Sequence, residues 1–212
     1  MLRKSMLTFA AVALALGVNP ALAQSSGNLA DITQGGSDDA TVTQRGSENE
    51  TYLEQVGGDG ATDTATITQS GENNVVDADQ QSWVGFGNSL TITQSGSGNE
   101  ATTVQMTGKN NINLSQDGIG NSADIEQRSS ATDADTQAEQ IGDDNTLVVS
   151  QGVPQSNDVS GTGNLVDVLQ DGDNNSGDIT QTNAHGDTSG MEVLLTQDGN
   201  GNSATVTQSA QQ

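Results

Sequence analysis

The groups that recur at regular spacing in this chain are side-chain amides. Glutamine returns at Gln34, Gln44, Gln55, Gln69, Gln80, Gln94, Gln105, Gln116, Gln127, Gln140, Gln151, Gln170, Gln181, Gln197 and Gln208. Asparagine stands six residues before that glutamine in 11 of the 15 segments. A carboxamide is donor and acceptor at once. Identical amides stacked at strand spacing can each donate to one neighbour and accept from the other, forming a ladder. This chemistry holds a structure together; it moves no proton and attacks no substrate.

Other chemistries find little support. The only histidine is His185, in a segment between repeats, and a carbohydrate-active solenoid would need acids and bases set in a groove, so no enzyme is expected and no catalytic residue is assigned. Asp171-Gly-Asp173-Asn-Asn175 and Asp143-Asp144-Asn145 cluster oxygens of the kind calcium takes. Neither has the terminal Glu spacing of an EF-hand loop, and they read as solvated acidic turns, so no metal site or cofactor is expected. Threonine pairs at Thr41/Thr43, Thr66/Thr68, Thr91/Thr93 and Thr205/Thr207 suggest an ice-binding plane, but the column continues as Asn113/Ser115, Gln137/Glu139 and Asp167/Leu169. A monomeric calcium- or ice-binding solenoid is the alternative reading. The lack of cysteine excludes disulfides and thiolate metal sites. Asn49-Glu-Thr51 matches a glycosylation triplet that chance explains in a repeat this rich in Asn and Thr. Trp83-Val-Gly-Phe86 is the one aromatic cluster, fit to pack over a repeat or to form an adhesive spot.

The elements that position the amides follow from periodicity. The residues four and two before each glutamine are Ala, Val, Ile or Leu in 26 of 30 cases. Those three and one before it are apolar in five of 30: Tyr52, Val104, Val148, Leu169 and Leu194. This period of two is a strand with one buried face. Asn, the apolar pair and Gln share the inner face, and Thr, Ser, Asp and Glu point outward. Every second interval between glutamines is 11 residues, giving the pairs 44/55, 69/80, 94/105, 116/127, 140/151, 170/181 and 197/208. Inside all seven the connection reads Gln-x-Gly-x-x-Asn, as in Gln94-Ser-Gly96-Ser-Gly98-Asn99. Glycine and asparagine supply the positive φ of a tight turn.

The expected fold is all-β: a two-sheet parallel β-solenoid of about seven strand–turn–strand rungs, cross-β-like, with rungs about 4.8 Å apart. The segment ending at Gln34 is a leading half-rung. The stacking ladder is expected at Gln44, Asn49, Gln55, Gln69, Asn74, Gln80, Gln94, Asn99, Gln105, Gln116, Asn121, Gln127, Gln140, Asn145, Gln151, Gln170, Asn175, Gln181, Gln197, Asn202 and Gln208. The rung-turn glycines are Gly46, Gly71, Gly96, Gly118, Gly142, Gly172 and Gly199.

Composition alone points elsewhere. The 212 residues carry 28 acids against five bases, a net charge of −23, and 40 Leu, Ile, Val and Phe, the profile of a disordered chain. A nucleic-acid binder would need a basic footprint. Arg3 and Lys4, the apolar run Met6–Val18 and Ala21-Leu22-Ala23 form a secretory signal peptide over residues 1–23, cleaved before Gln24. The mature chain keeps all 28 acids with Arg45, Lys109 and Arg128, for a net charge of −25. An N-terminal segment with the half-rung spans 24–37, the repeat domain 38–208, and a short tail 209–212. The last repeat, Asn202 to Gln208, is among the best matches, and nothing after it resembles a cap. Open edges of near-identical rungs are templates for another copy, so an open head-to-tail homopolymer is expected.

The segment Gln197-Asp-Gly199-Asn-Gly201-Asn202-Ser-Ala204-Thr-Val-Thr-Gln208 resembles the curlin repeat of curli fibre subunits throughout, as does Gln116 to Gln127 nearly so. The resemblance covers about 38–208. It implies a secreted subunit of extracellular amyloid on the bacterial surface, serving adhesion and biofilm matrix. It also implies a nucleator or major-curlin partner, an outer-membrane secretion channel and accessory chaperones. The chain departs from the family where repeats often begin with an inward Ser: Asp63, Asn88, Asn110 and Asn164 stand there.

Overall fold

The computed structural model describes residues 22–24, 27–82, 85–128, 134–152, 163–182 and 190–209. Trp83, Pro154 and His185, and all of the leader except Leu22 and Ala23, lie outside the described residues. In chain order the strands are β1 (Leu22–Gln24), β2 (Leu29–Gly35), β3 (Asp39–Ser47), β4 (Glu50–Val56), β5 (Thr64–Glu72), β6 (Val75–Ser82), β7 (Ser89–Ser97) and β8 (Glu100–Thr107). They continue as β9 (Asn111–Ile119), β10 (Ser122–Arg128), β11 (Asp135–Ile141), β12 (Thr146–Gly152), β13 (Leu165–Asp171), β14 (Ser176–Thr182), β15 (Glu192–Asp198) and β16 (Ser203–Ser209). No helix occurs among the described residues.

Odd-numbered strands form one eight-stranded sheet, in the order β1-β3-β5-β7-β9-β11-β13-β15, and even-numbered strands form the other, from β2 to β16. Every pairing is parallel. The chain is therefore a β-solenoid, with each pair from β3/β4 to β15/β16 forming one layer. The glutamines fix the register: Gln44 lies opposite Gln69, Gln69 opposite Gln94, Gln55 opposite Gln80, and so on to Gln181 opposite Gln208. A slip of one residue would turn every apolar side chain outward.

Burial alternates along each strand. In β3 Ala40, Val42 and Gln44 are buried while Thr41 and Thr43 are half-exposed. One apolar cluster runs the length of the stack, from Ala40 and Val42 through Ile67, Leu90, Ile92, Ile112, Leu114 and Leu147 to Ile179 and Val193. The core is narrow because each strand contributes two residues to it. Its small members, such as Ala65 and Ala101, suit two sheets packed about 10 Å apart.

The turn between β7 and β8 shows why its sequence repeats. Gly96 has φ +106, and a Cβ there would lie 2.0 Å from the carbonyl oxygen of Gly118 one layer up. Glycine is required twice over, by its dihedral and by the closeness of the next layer. Two residues on, Gly98 has φ +67, and the equivalent positions are also left-handed: Glu48, Asn73, Gly120, Asp144, Asn174 and Gly201. Non-glycine residues are tolerated there because nothing lies within 4 Å of a Cβ at Gly98.

The segment ending at Gln34 forms β2, paired with β4. The expected half-rung has company in its layer, since Leu22–Gln24 forms β1 against Thr43–Arg45 of β3.

Candidate functional site: the stacked amide columns

Two glutamine columns run the length of the solenoid, one per sheet. In the odd-numbered sheet Nε2 of Gln44 donates to Oε1 of Gln69 at 2.8 Å. The same bond links Gln69 to Gln94, Gln94 to Gln116, Gln116 to Gln140, Gln140 to Gln170 and Gln170 to Gln197, at 2.8–2.9 Å. In the even-numbered sheet the column runs Gln34, Gln55, Gln80, Gln105, Gln127, Gln151, Gln181, Gln208, at 2.8–3.1 Å. In both columns the lower-numbered residue donates. Apart from Gln34 and Gln208 at the ends, every member is at most 5% exposed.

A carboxamide has a second N–H, and here it crosses between the sheets. Gln69 Nε2 also reaches the carbonyl of Glu50 at 2.9 Å, Gln94 that of Val75, Gln116 that of Glu100 and Gln170 that of Thr146. From the facing sheet, Gln80 reaches the carbonyl of Thr64, Gln105 that of Ser89 and Gln181 that of Leu165. Each glutamine at the end of one strand thus ties down the first residue of a strand opposite. The bonds from the even-numbered sheet close a rung and those from the odd-numbered sheet tie it to the layer below, and both satisfy donors whose unpaired burial would cost about 1–3 kcal/mol each.

The asparagines bond in the opposite sense. The backbone N–H of Asn74 donates to Oδ1 of Asn49 at 3.1 Å, and Asn99, Asn121, Asn145, Asn175 and Asn202 each donate likewise to the Asn below. Nδ2 of Asn121 and of Asn145 reaches up to the carbonyls of Gly142 and Gly172, both at 2.7 Å. The asparagine therefore pins the turn glycine of the layer above. Gly46, Gly71, Gly96, Gly118, Gly142 and Gly172 all lie close under the next glycine, while Gly199, in the last layer, has no neighbour nearer than Asn202 at 4.0 Å.

Three features of these columns are not apparent in the sequence. Thr51 and Thr136 occupy apolar positions, and their hydroxyls join the amides: Thr51 donates to Gln69 Oε1 at 2.9 Å and Thr136 to Gln151 Oε1 at 2.8 Å. Thr103, at the other inward position of its strand, two residues before Gln105, has a buried hydroxyl without a partner. Beside the β3, β5 and β7 starts stands a further column in which Asp38 and Asp63 precede Asn88 and Asn110. Asp38 accepts the N–H groups of Asp63 at 2.9 Å and Gly57 at 3.0 Å. Asp63 accepts the N–H of Asn88 at 2.7 Å through Oδ1, while its Oδ2 is buried with no partner. Burial pushes the Asp63 carboxyl above the usual range, against the lowering effect of Asn88 and Ser82, and the Asp38 charge adds to the rise. The repeat places Asp63 at an inward position, and the fold shows it fully buried.

The outward faces differ in chemistry. Thr41/Thr43, Thr66/Thr68 and Thr91/Thr93 stand in register on the odd-numbered sheet before Asn113/Ser115 and Gln137/Glu139 continue the columns. The even-numbered sheet is acidic, and Asp79 is pushed up by burial, then by Glu54 and Asp77, against a lowering bond from Gln81. Arg128 pairs with Glu126. The turn acids serve the backbone, since Asp143 accepts the Ile119 N–H and Asp173 the Asp143 N–H. Phe86 is 49% exposed, with Lys109 Nζ 4.6 Å from its ring centroid. Among the described residues no three His, Cys, Asp or Glu converge as metal ligands.

No curated protein and no solved structure matches the chain. Residues 60–96 and 85–118 match the family of the curlin associated repeat. Together they run from the approach to β5 through β8 to Gly118 in β9, a stretch that holds five consecutive strands of the amide columns. The chain thus carries the curlin associated repeat within residues 60–118.

Proposed function

We propose that this protein is a secreted structural subunit that stacks head to tail into extracellular, curli-like amyloid fibres for cell adhesion and biofilm matrix. The observation that carries the reading is the sameness of the layers. Each presents the same inward amides and apolar pair in parallel register to the next. A further copy set on β15 and β16 meets the backbone and side-chain pattern that β13 and β14 already meet. Edge strands with unpaired N–H and C=O groups recruit such partners.

The composition fits this role. Apart from the buried Asp38 and Asp63, the acids behind the mature charge of −25 fall on outward faces, turns and loops, where they keep single chains apart until stacking supplies enough hydrogen bonds. Salt that screens those charges should speed assembly. Export through an outer-membrane channel with chaperones, and templating by a nucleator or major-curlin partner, complete the proposal by way of the curlin repeat.

The test is incubation of the purified mature chain, followed by thioflavin fluorescence and fibre diffraction. A meridional reflection at about 4.7–4.8 Å with rungs stacked in parallel is expected. A chain that stays monomeric and thioflavin-negative through long incubation at high concentration overturns the reading.

A further inference from the structure

The lowest layer of the solenoid is filled on one side only. In the even-numbered sheet it holds β2, paired with β4 along all seven residues. In the odd-numbered sheet it holds β1, three residues against Thr43–Arg45. The β3 edge from Asp39 to Val42 has no strand below it among the described residues. β1 also straddles the expected cleavage point after Ala23, so loss of the leader leaves only Gln24 of it. At the other end β15 and β16 complete the last layer together.

This step matters once copies stack head to tail. With β2 of one copy paired on β16 of the next, β15 and β3 face each other across two strand spacings, about 9.5 Å instead of about 4.8 Å. Their backbone groups cannot reach one another. Asn28, just before β2, cannot fill the space, because it already stands in the asparagine column, accepting the Asn49 N–H at 3.0 Å.

We propose that this slot is a binding site for an extended strand from a partner chain, inserted parallel between β15 of one copy and β3 of the next. The proposal rests on the head-to-tail reading. Main-chain hydrogen bonds on both sides supply affinity, as in strand addition to an open edge. The inward pattern sets specificity. Val193, Leu195 and Gln197 of one copy lie below and Ala40, Val42 and Gln44 of the next lie above. The slot therefore takes two small or branched apolar residues at alternate positions followed by glutamine. The structure shows the edge accepting a parallel strand, since Ala23 of β1 lies opposite Gln44. That leader strand puts alanine where the column needs an amide, so a strand carrying glutamine there is the better occupant.

The absence of cysteine in the chain makes the slot directly testable. Fibres of mature chain carrying T43C are grown with a peptide of residues 64–72 carrying T68C, and then oxidised. Thr68 is the residue that pairs with Thr43 in the native register, so a disulfide is geometrically allowed. The result expected is roughly one linked peptide per chain along the whole fibre. The same peptide carrying T66C is displaced two residues, beyond disulfide reach, and links roughly tenfold less. A chain lacking residues 28–36 has no β2 and stacks flush, so its uptake falls to the level set by fibre ends. T43C fibres that link peptide only in proportion to their ends overturn the proposal. A chain that never polymerises yet links one T68C peptide at position 43 overturns the fibre reading and keeps the β3 strand site.

Discussion

Gln94 donates through Nε2 to Oε1 of Gln116 at 2.9 Å, and it also reaches the Val75 carbonyl of the opposite sheet at 3.0 Å. One side chain thus carries the bond to the layer above and a bond across the core to the layer below. Gln94→Ala removes both and leaves a cavity among fully buried neighbours. A loss of roughly 2–5 kcal/mol is expected, read as a fall in the denaturation midpoint. Gln34→Ala, at the half-exposed end of its column, should cost less than half as much.

The turn glycines separate two requirements. At Gly96 a Cβ meets the Gly118 oxygen at 2.0 Å, whereas at Gly98 it meets nothing and only the φ of +67 is strained. Gly98→Ala is expected to cost about 1 kcal/mol. Gly96→Ala should stop β9 from seating on β7 and abolish ordered assembly. Circular dichroism and thioflavin kinetics on the two variants measure the difference, and equal effects would refute the close-approach argument.

The buried threonines predict opposite signs for one substitution. Thr103 has a buried hydroxyl with no partner, so Thr103→Val should stabilise by about 1 kcal/mol. Thr136 donates to Gln151 and accepts from Gln127 at 3.0 Å. Thr136→Val should destabilise by about 1–3 kcal/mol. Chemical denaturation of both variants checks the pair.

The Asp63 carboxyl gives a pH dependence of defined sign. Its folded pKa is raised, chiefly by burial. The folded state therefore binds the proton more tightly than the unfolded state, and folding loses stability as pH rises from the ordinary carboxylate range through the raised value. Acidification should speed ordering of the β3–β7 region, which hydrogen exchange can follow. Asp63→Asn restores the amide found at Asn88 and Asn110, so it should stabilise by roughly 1–3 kcal/mol at neutral pH and flatten this part of the profile. A variant with unchanged pH dependence would assign the effect to other acids.

The two-sheet parallel solenoid was legible because its signals are local and repeated. Alternation along Asn88-Ser-Leu-Thr-Ile-Thr-Gln94 sets the buried face, and the constant 11-residue step from Gln94 to Gln105 sets the turn. What the sequence hides is orientation and context. Nothing in the letter Gln says which way an amide faces, nor that its second N–H will find a carbonyl across the core. Thr51 and Thr136 read as interruptions of the apolar pattern, yet their hydroxyls enter the amide network. Asp63 reads as an inward residue at the start of its repeat, but its partners, Asp38 below and Asn88 above, emerge only from stacking. The leader strand was equally invisible, because its pairing with β3 depends on the neighbouring layer.

The common direction of the glutamine bonds has a consequence for kinetics. Because each bond in both columns runs from the lower-numbered to the higher-numbered residue, the amide dipoles add along the axis, much as peptide dipoles add along a helix. The two glutamine columns are electrically polar, with N–H groups directed out of the Gln197 and Gln208 end and carbonyl oxygens out of the Gln34 and Gln44 end, while the single asparagine column runs the other way. An arriving subunit must offer acceptors at one tip and donors at the other, so the two tips of one filament should lengthen at different speeds.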